Sequence, residues 1–187
     1  LIVIFILVLF LGNLRAGLIV ATAIPLSLLF ALGMMNLFGV SANLMSLGAI
    51  DFGIIVDGSV IVVEAVMHHL AIRKNHQRLT QAQMDEEVFH SASKIRSSAA
   101  FGEIIILMVY IPILTLVGVE GKMFRPMAQT VVFAILGALI LSLTYIPAMS
   151  ALLLPKTVSD KRSFAERMIS WLYRHYQPLF VRSIRLR

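Results

Sequence analysis

Three carboxylic acids stand in a stretch that otherwise has the composition of a membrane interior. GAIDFGIIVDGSVIVVE, residues 48–64, carries Asp51, Asp57 and Glu64 and neither Lys nor Arg. In a helix, at about 100° and about 1.5 Å per residue, Asp57 and Glu64 return to within ~20° of one face, ~10 Å apart, and Asp51 stands ~120° from Asp57. Counted from Asn43, Asp57 lies ~21 Å into the segment, near the middle of a hydrocarbon layer ~30 Å thick. Glu64 falls nearer one end of the segment and Asp51 nearer the other. A row of carboxyls at graded depth can carry protons, provided each acid is neutral, paired or cycling between the two.

The energetics argue against an incidental placement. A central Asp costs ~3 kcal/mol to insert, and each Leu, Ile, Phe or Val returns only ~0.3–0.6 kcal/mol. A helix so burdened must face a bundle interior or a wet cavity. Gly48, Gly53 and Gly58, with Ala49 and Ser59, thin the helix around the acids and let neighbours approach closely. The plainer reading is three permanently hydrogen-bonded acids that serve packing alone. It fits one acid better than three on one helix, with no basic residue at the centre of any apolar segment. An acid whose proton affinity changes with conformation could load on one side and release on the other, as a proton-coupled pump requires.

The elements that hold these acids follow from composition. The chain has 187 residues, 59% of them apolar, and a mean hydropathy of +0.90. Several runs of about 20 apolar residues imply membrane spans. Apolar and polar residues do not alternate as in a barrel, so the predicted fold class is all-α, a polytopic transmembrane helix bundle. About five segments are expected, at 1–11, 16–38, 44–67, 99–117 and 127–154. GNLR (12–15) makes a tight turn, 36–46 is a short polar-leaning connection, and 68–98 is a polar stretch. Pro25, Pro112 and Pro147 lie inside segments and kink them. The first segment opens in an apolar run without Met or a charged leader, so the sequence is expected to be a fragment whose first helix is truncated. With no Cys, disulfides and thiolate metal sites are excluded.

Charge sets the expected orientation. All but Lys122 and Arg125 of the 16 basic residues fall in 12–15, 68–98 and 155–187, which the positive-inside rule places in the cytoplasm. The net charge of +6 is then a topology signal with a secondary attraction to anionic membrane lipid, and no nucleic-acid partner is expected. Residues 155–187 form a basic cytoplasmic segment. Within it Phe164, Met168, Trp171, Leu172 and Tyr176 have roughly helical spacing, which suits an amphipathic helix on the membrane surface or one packed on a partner.

DFGIIVDGSVIVVE resembles the fourth transmembrane helix of the heavy-metal efflux branch of the resistance-nodulation-division (RND) transporters, most closely the pump subunits of cobalt–zinc–cadmium systems. GVEGKMFRPMA (118–128) is similar to that family's short connection between its fifth and sixth helices. LGNLRA (11–16) and AIPLS (23–27) fit its second and third helices. The resemblance runs over essentially the whole chain. The drug-exporting branch typically has two adjacent aspartates on this helix, whereas here Gly58 follows Asp57. The copper- and silver-exporting branch usually lacks an acid at Asp51, so its presence points to divalent ions. Ala65 departs from the family, which often has Asn after the Glu.

The resemblance implies part of a proton-motive-force-driven exporter of heavy-metal cations in the bacterial inner membrane, a cation/proton antiporter and not an enzyme. It implies a homotrimer working with a periplasmic adaptor protein and an outer-membrane channel, with Asp51, Asp57 and Glu64 as the acids of proton coupling. Their counter-charge would be a Lys of the second membrane half, absent from this chain. The alternatives are an RND exporter of drugs or other small molecules, or a structural membrane domain that transports nothing.

Other residues carry less. Glu103 reads as an interfacial acid about a turn inside its segment, with a proton exit as the functional alternative. His68 is four residues after Glu64 and shares its face. With His69 it could take a proton, or be an ordinary pair at a helix end. His76 and His90 lack a second ligand at metal-site spacing, so the metal ligands stay unknown. The ten Met residues are scattered and read as packing rather than a thioether path. No cofactor is expected, because no phosphate-binding glycine loop occurs. Asp51 and Asp57 lie ~9 Å apart along a helix, too far to share a proton as an aspartyl protease dyad.

Overall fold

The computed structural model describes residues 2–41, 48, 50–72, 79–155, 173, 174 and 176. Its regular structure is helical: α1 (Ile2–Leu11), α2 (Leu14–Leu37), α3 (Phe52–Ile72), α4 (Gln81–Leu114), α5 (Gly118–Leu143) and α6 (Tyr145–Leu153). Of these, α2, α3, α4 and α5 are long and apolar enough to cross a membrane. The all-α transmembrane bundle expected from hydropathy is the observed fold. Most of the tail 155–187, with its amphipathic segment, lies outside the described residues, as do His76 and residues 42–47.

The first turn is built by two residues. Gly12 adopts φ +63°, which ends α1 in the left-handed conformation that glycine tolerates. Asn13 is extended, and its Oδ1 accepts the Arg15 N–H at 3.0 Å, capping α2. The chain reverses there, and α1 lies so close to α2 that a Cβ built on Gly17 would stand 2.9 Å from the Val8 Cα. Backbone cannot yield without shifting a whole helix. Gly17→Leu is therefore expected to cost ~1–3 kcal/mol by overpacking, read as a lower thermal midpoint in detergent.

The polar stretch 68–98 is largely helical. α3 continues to Ile72, and α4 starts at Gln81 behind a capping box in which Thr80 Oγ1 accepts from the Gln83 N–H and Gln83 Oε1 from the Thr80 N–H. At 34 residues α4 is ~51 Å long, well beyond a hydrocarbon layer of ~30 Å. Its polar first half extends past the apolar half that begins near Ala99. The expected segment 127–154 is two helices. Pro147 has no N–H to bond the Leu143 carbonyl, and its ring crowds that carbonyl, so α5 stops at Leu143 and α6 restarts after Thr144.

Two apolar clusters hold the bundle together. The larger includes Ile19 and Val20 of α2, Val62, Val63 and Val66 of α3, Met84 and Val88 of α4, and Ile146 of α6. The smaller joins Ala31, Ile50, Ile55, Ala134 and Ala138. Buried polar residues lie where the helices pass from one cluster to the other: Ser27 on α2 and Ser142 on α5. Each satisfies its hydroxyl on its own helix, at Ile24 and Leu139 carbonyls. Two methionines are ordinary packing residues here. Met84 is buried in the larger cluster, and the Met35 Sδ accepts the Thr130 hydroxyl at 3.4 Å. Outward-facing Phe5, Phe10, Phe101, Met108 and Val109 give the bundle an apolar exterior suited to lipid.

Candidate functional site

The site is assembled on α3. Its buried face consists of Ile55, Val56, Gly58, Ser59, Val62, Val63, Val66 and Leu70. The opposite stripe is Asp57, Ile61, Glu64 and His68, spaced four, three and four residues apart, and all four are exposed on the bundle surface. The helix is unbroken from Phe52 to Ile72, so Asp57 and Glu64 share a face two turns apart, ~10 Å along the axis. His68 continues the stripe one turn beyond Glu64.

Asp51 sits differently. It precedes α3 rather than lying within it, and its Oδ1 accepts the Gly53 N–H at 2.8 Å. That is the geometry of a helix N-cap, where a carboxylate satisfies an otherwise orphaned donor and meets the positive end of the helix dipole. The angular offset of ~120° expected for a continuous helix therefore does not describe it. Asp51 closes the top of the stripe through the backbone.

His69 points the other way from His68. Its Nδ1 lies 2.9 Å from the Glu87 Oε2 of α4, and its ring stands 5.5 Å from that of His90. This pair ties the end of α3 to the polar half of α4. Among the described residues no three His, Asp or Glu side chains converge as metal ligands.

Glu103 is where the structure departs furthest from expectation. It is 4% exposed, at the end of an inward-facing row on α4 formed by Met84, Val88, Ser91, Ala99 and Glu103. Its carboxyl occupies the space beside Gly58. A Cβ built on Gly58 would fall on the Glu103 Oε1, 3.0 Å from its Cδ and 3.4 Å from the Ser142 Cβ. Because α3 and α4 run antiparallel, contact at His69–Glu87 near one end carries Glu103 up to the level of Asp57 and Gly58. The signal was present in the spacing 84–88–91–99–103. It is legible only once residues 81–98 are helical, since the phase of the row runs through them.

The model of the AcrB/AcrD/AcrF family matches residues 1–187. The cobalt-zinc-cadmium resistance protein CzcA of Cupriavidus metallidurans is 51% identical over 185 residues, covering 97% of this chain and 17% of that protein. The nickel-cobalt-cadmium resistance protein NccA of Alcaligenes xylosoxydans xylosoxydans is 47% identical over 176 residues, covering 93% and 16%. The crystal structure of a heavy metal efflux pump superposes with a TM-score of 0.67 at 42% identity, over 81% of this chain and 14% of that one. The chain thus spans about a sixth of the length of the curated relatives it matches.

Proposed function

Since the chain belongs to the AcrB/AcrD/AcrF family of RND transporters, on its heavy-metal efflux branch, we propose that it is the part of a metal-cation exporter that moves protons. In this reading the full-length pump sits in the bacterial inner membrane and exchanges inward-moving protons for outward-moving divalent cations. It works as a homotrimer with a periplasmic adaptor and an outer-membrane channel. Asp57 and Glu64 are the relay acids, and Asp51 stands at the head of the row. The basic stretches 12–15, 68–98 and 155–187 face the cytoplasm.

The observation that carries this reading is the exposed acidic stripe of α3. Asp57 and Glu64 lie in a helix apolar enough to cross a membrane, yet they face away from the bundle formed by these residues. Lipid is an untenable neighbour for them, so a second half of the membrane domain must cover the stripe. A cation from that half would hold a carboxylate charged, and its withdrawal would favour proton uptake. Each acid can then bind a proton in one conformation and release it in another.

The test is ion exchange by the corresponding full-length pump in sealed proteoliposomes holding a pH indicator. Addition of Co2+, Zn2+ or Cd2+ is expected to collapse an imposed proton gradient, and hydrophobic drugs to leave it intact. Collapse by drugs but not by any divalent cation would replace metal export with drug export. Response to neither would favour a domain without transport activity.

A further inference from the structure

Glu103 is the one ionisable residue among the buried described residues. Neither of its carboxyl oxygens has a hydrogen-bond partner among the described residues. An unpaired buried carboxylate is among the most expensive groups a protein can hold, and side chains with no task are not kept in that condition. Two helices make room for it. Gly58 on α3 has no side chain at the point the carboxyl occupies, and Ser142 on α5 closes the far wall. Asp57 adjoins Gly58 in the chain, one residue from the notch that the Glu103 carboxyl fills, and from α5 the Ser142 Cβ lies against the same notch.

We propose that Glu103 is a proton-binding member of the relay, paired with Asp57 through the notch at Gly58. This rests on the reading of Asp57 as a relay acid and adds a second helix to it. Two carboxyls at one level cannot both carry charge cheaply, so the pair holds a proton between them. In the transfer step the O–H bond on the Asp57 carboxyl breaks as one forms on the Glu103 carboxylate, and the total charge of the pair is unchanged. Asp57 is the exposed member, reached from the face that a second membrane half would cover. Glu103 is the interior member, shielded by α4 and α5. A proton parked on Glu103 leaves Asp57 free to ionise and meet a cation, so α4 senses the state of α3 directly.

The experiment compares metal-driven proton flux across a pH series in proteoliposomes of the full-length pump, unaltered and as D57N, E103Q and E103D. Pump trimers are checked by size-exclusion chromatography. E103Q keeps the shape of a neutral Glu but binds no proton. It is expected to lower the flux at least about tenfold and to flatten its pH dependence, with E103D recovering part of both. An infrared pH-difference spectrum of the unaltered pump should show a protonated-carboxyl band that E103Q removes. Unchanged flux and pH profile in E103Q, with D57N inactive, overturns the role of Glu103 and leaves Asp57 standing. Full flux in D57N overturns the relay and this inference with it. If E103Q does not assemble, E103D decides: an unaltered pH profile there overturns the proposal, and a displaced one supports it.

Discussion

Asp57→Asn is expected to stop metal-driven proton movement in the full-length pump, with a loss of at least about a hundredfold, the scale on which a positioned proton-transfer group contributes. Asn matches Asp in size but cannot take up or release a proton at any accessible pH. The substitution should not harm the fold. Asp57 is exposed on the stripe side of α3 and lies in neither apolar cluster. Removing an acid from a helix of this kind also lowers its insertion cost, since a central Asp opposes insertion by ~3 kcal/mol. Loss of flux with normal assembly and normal metal binding in equilibrium dialysis would place Asp57 in the proton path. Retained flux would show the stripe to be structural.

The second large effect is expected at Gly58, and its two parts pull in opposite directions. Gly58→Ala puts a methyl where the Glu103 Oε1 lies, so the carboxyl must leave the notch. The group displaced is the end of a flexible side chain rather than backbone, and the Ser142 Cβ at 3.4 Å is an ordinary contact. Alanine also favours the helix by ~1 kcal/mol over glycine. Thermal stability in detergent is therefore expected to change by no more than about 1 kcal/mol in either direction. Flux should nonetheless fall to the level of E103Q, because Glu103 no longer fills the notch next to Asp57. A stable G58A pump with unaltered flux would mean the notch serves helix packing alone. The contrast with Gly17 is informative, since there the obstruction is the Val8 backbone and stability should suffer first.

Much of the molecule was legible before folding because membrane insertion is a local matter. An apolar run long enough to span lipid must be a helix, whatever its neighbours, since its backbone has no other partner. The Gly12–Asn13 turn and the pairing of Asp57 with Glu64 on one face follow from the same short-range rules. Two further local signals shape the helices. TQAQ at 80–83 is a capping box that starts α4 inside the polar stretch 68–98. Pro147 acts four residues back on the Leu143 carbonyl and divides what hydropathy joins into one segment. Asp51 lies in a similar position: the acid is obvious, whereas its use as the cap of α3 depends on where the helix begins.

The sequence by itself determined the class of the protein, the presence of its apolar spans and the acidic row, because composition and periodicity act within a few turns of chain. Only the tertiary structure decided that Glu103 belongs with Asp57. The two are separated in sequence by the rest of α3, by residues 73–80 and by the polar half of α4. Their meeting depends on how two antiparallel helices slide against each other. That register is set by side chains spread along both helices, His69 on Glu87 at one end and a carboxyl in the space left by Gly58 further along. A glycine announces that something can come close, and only packing says what does.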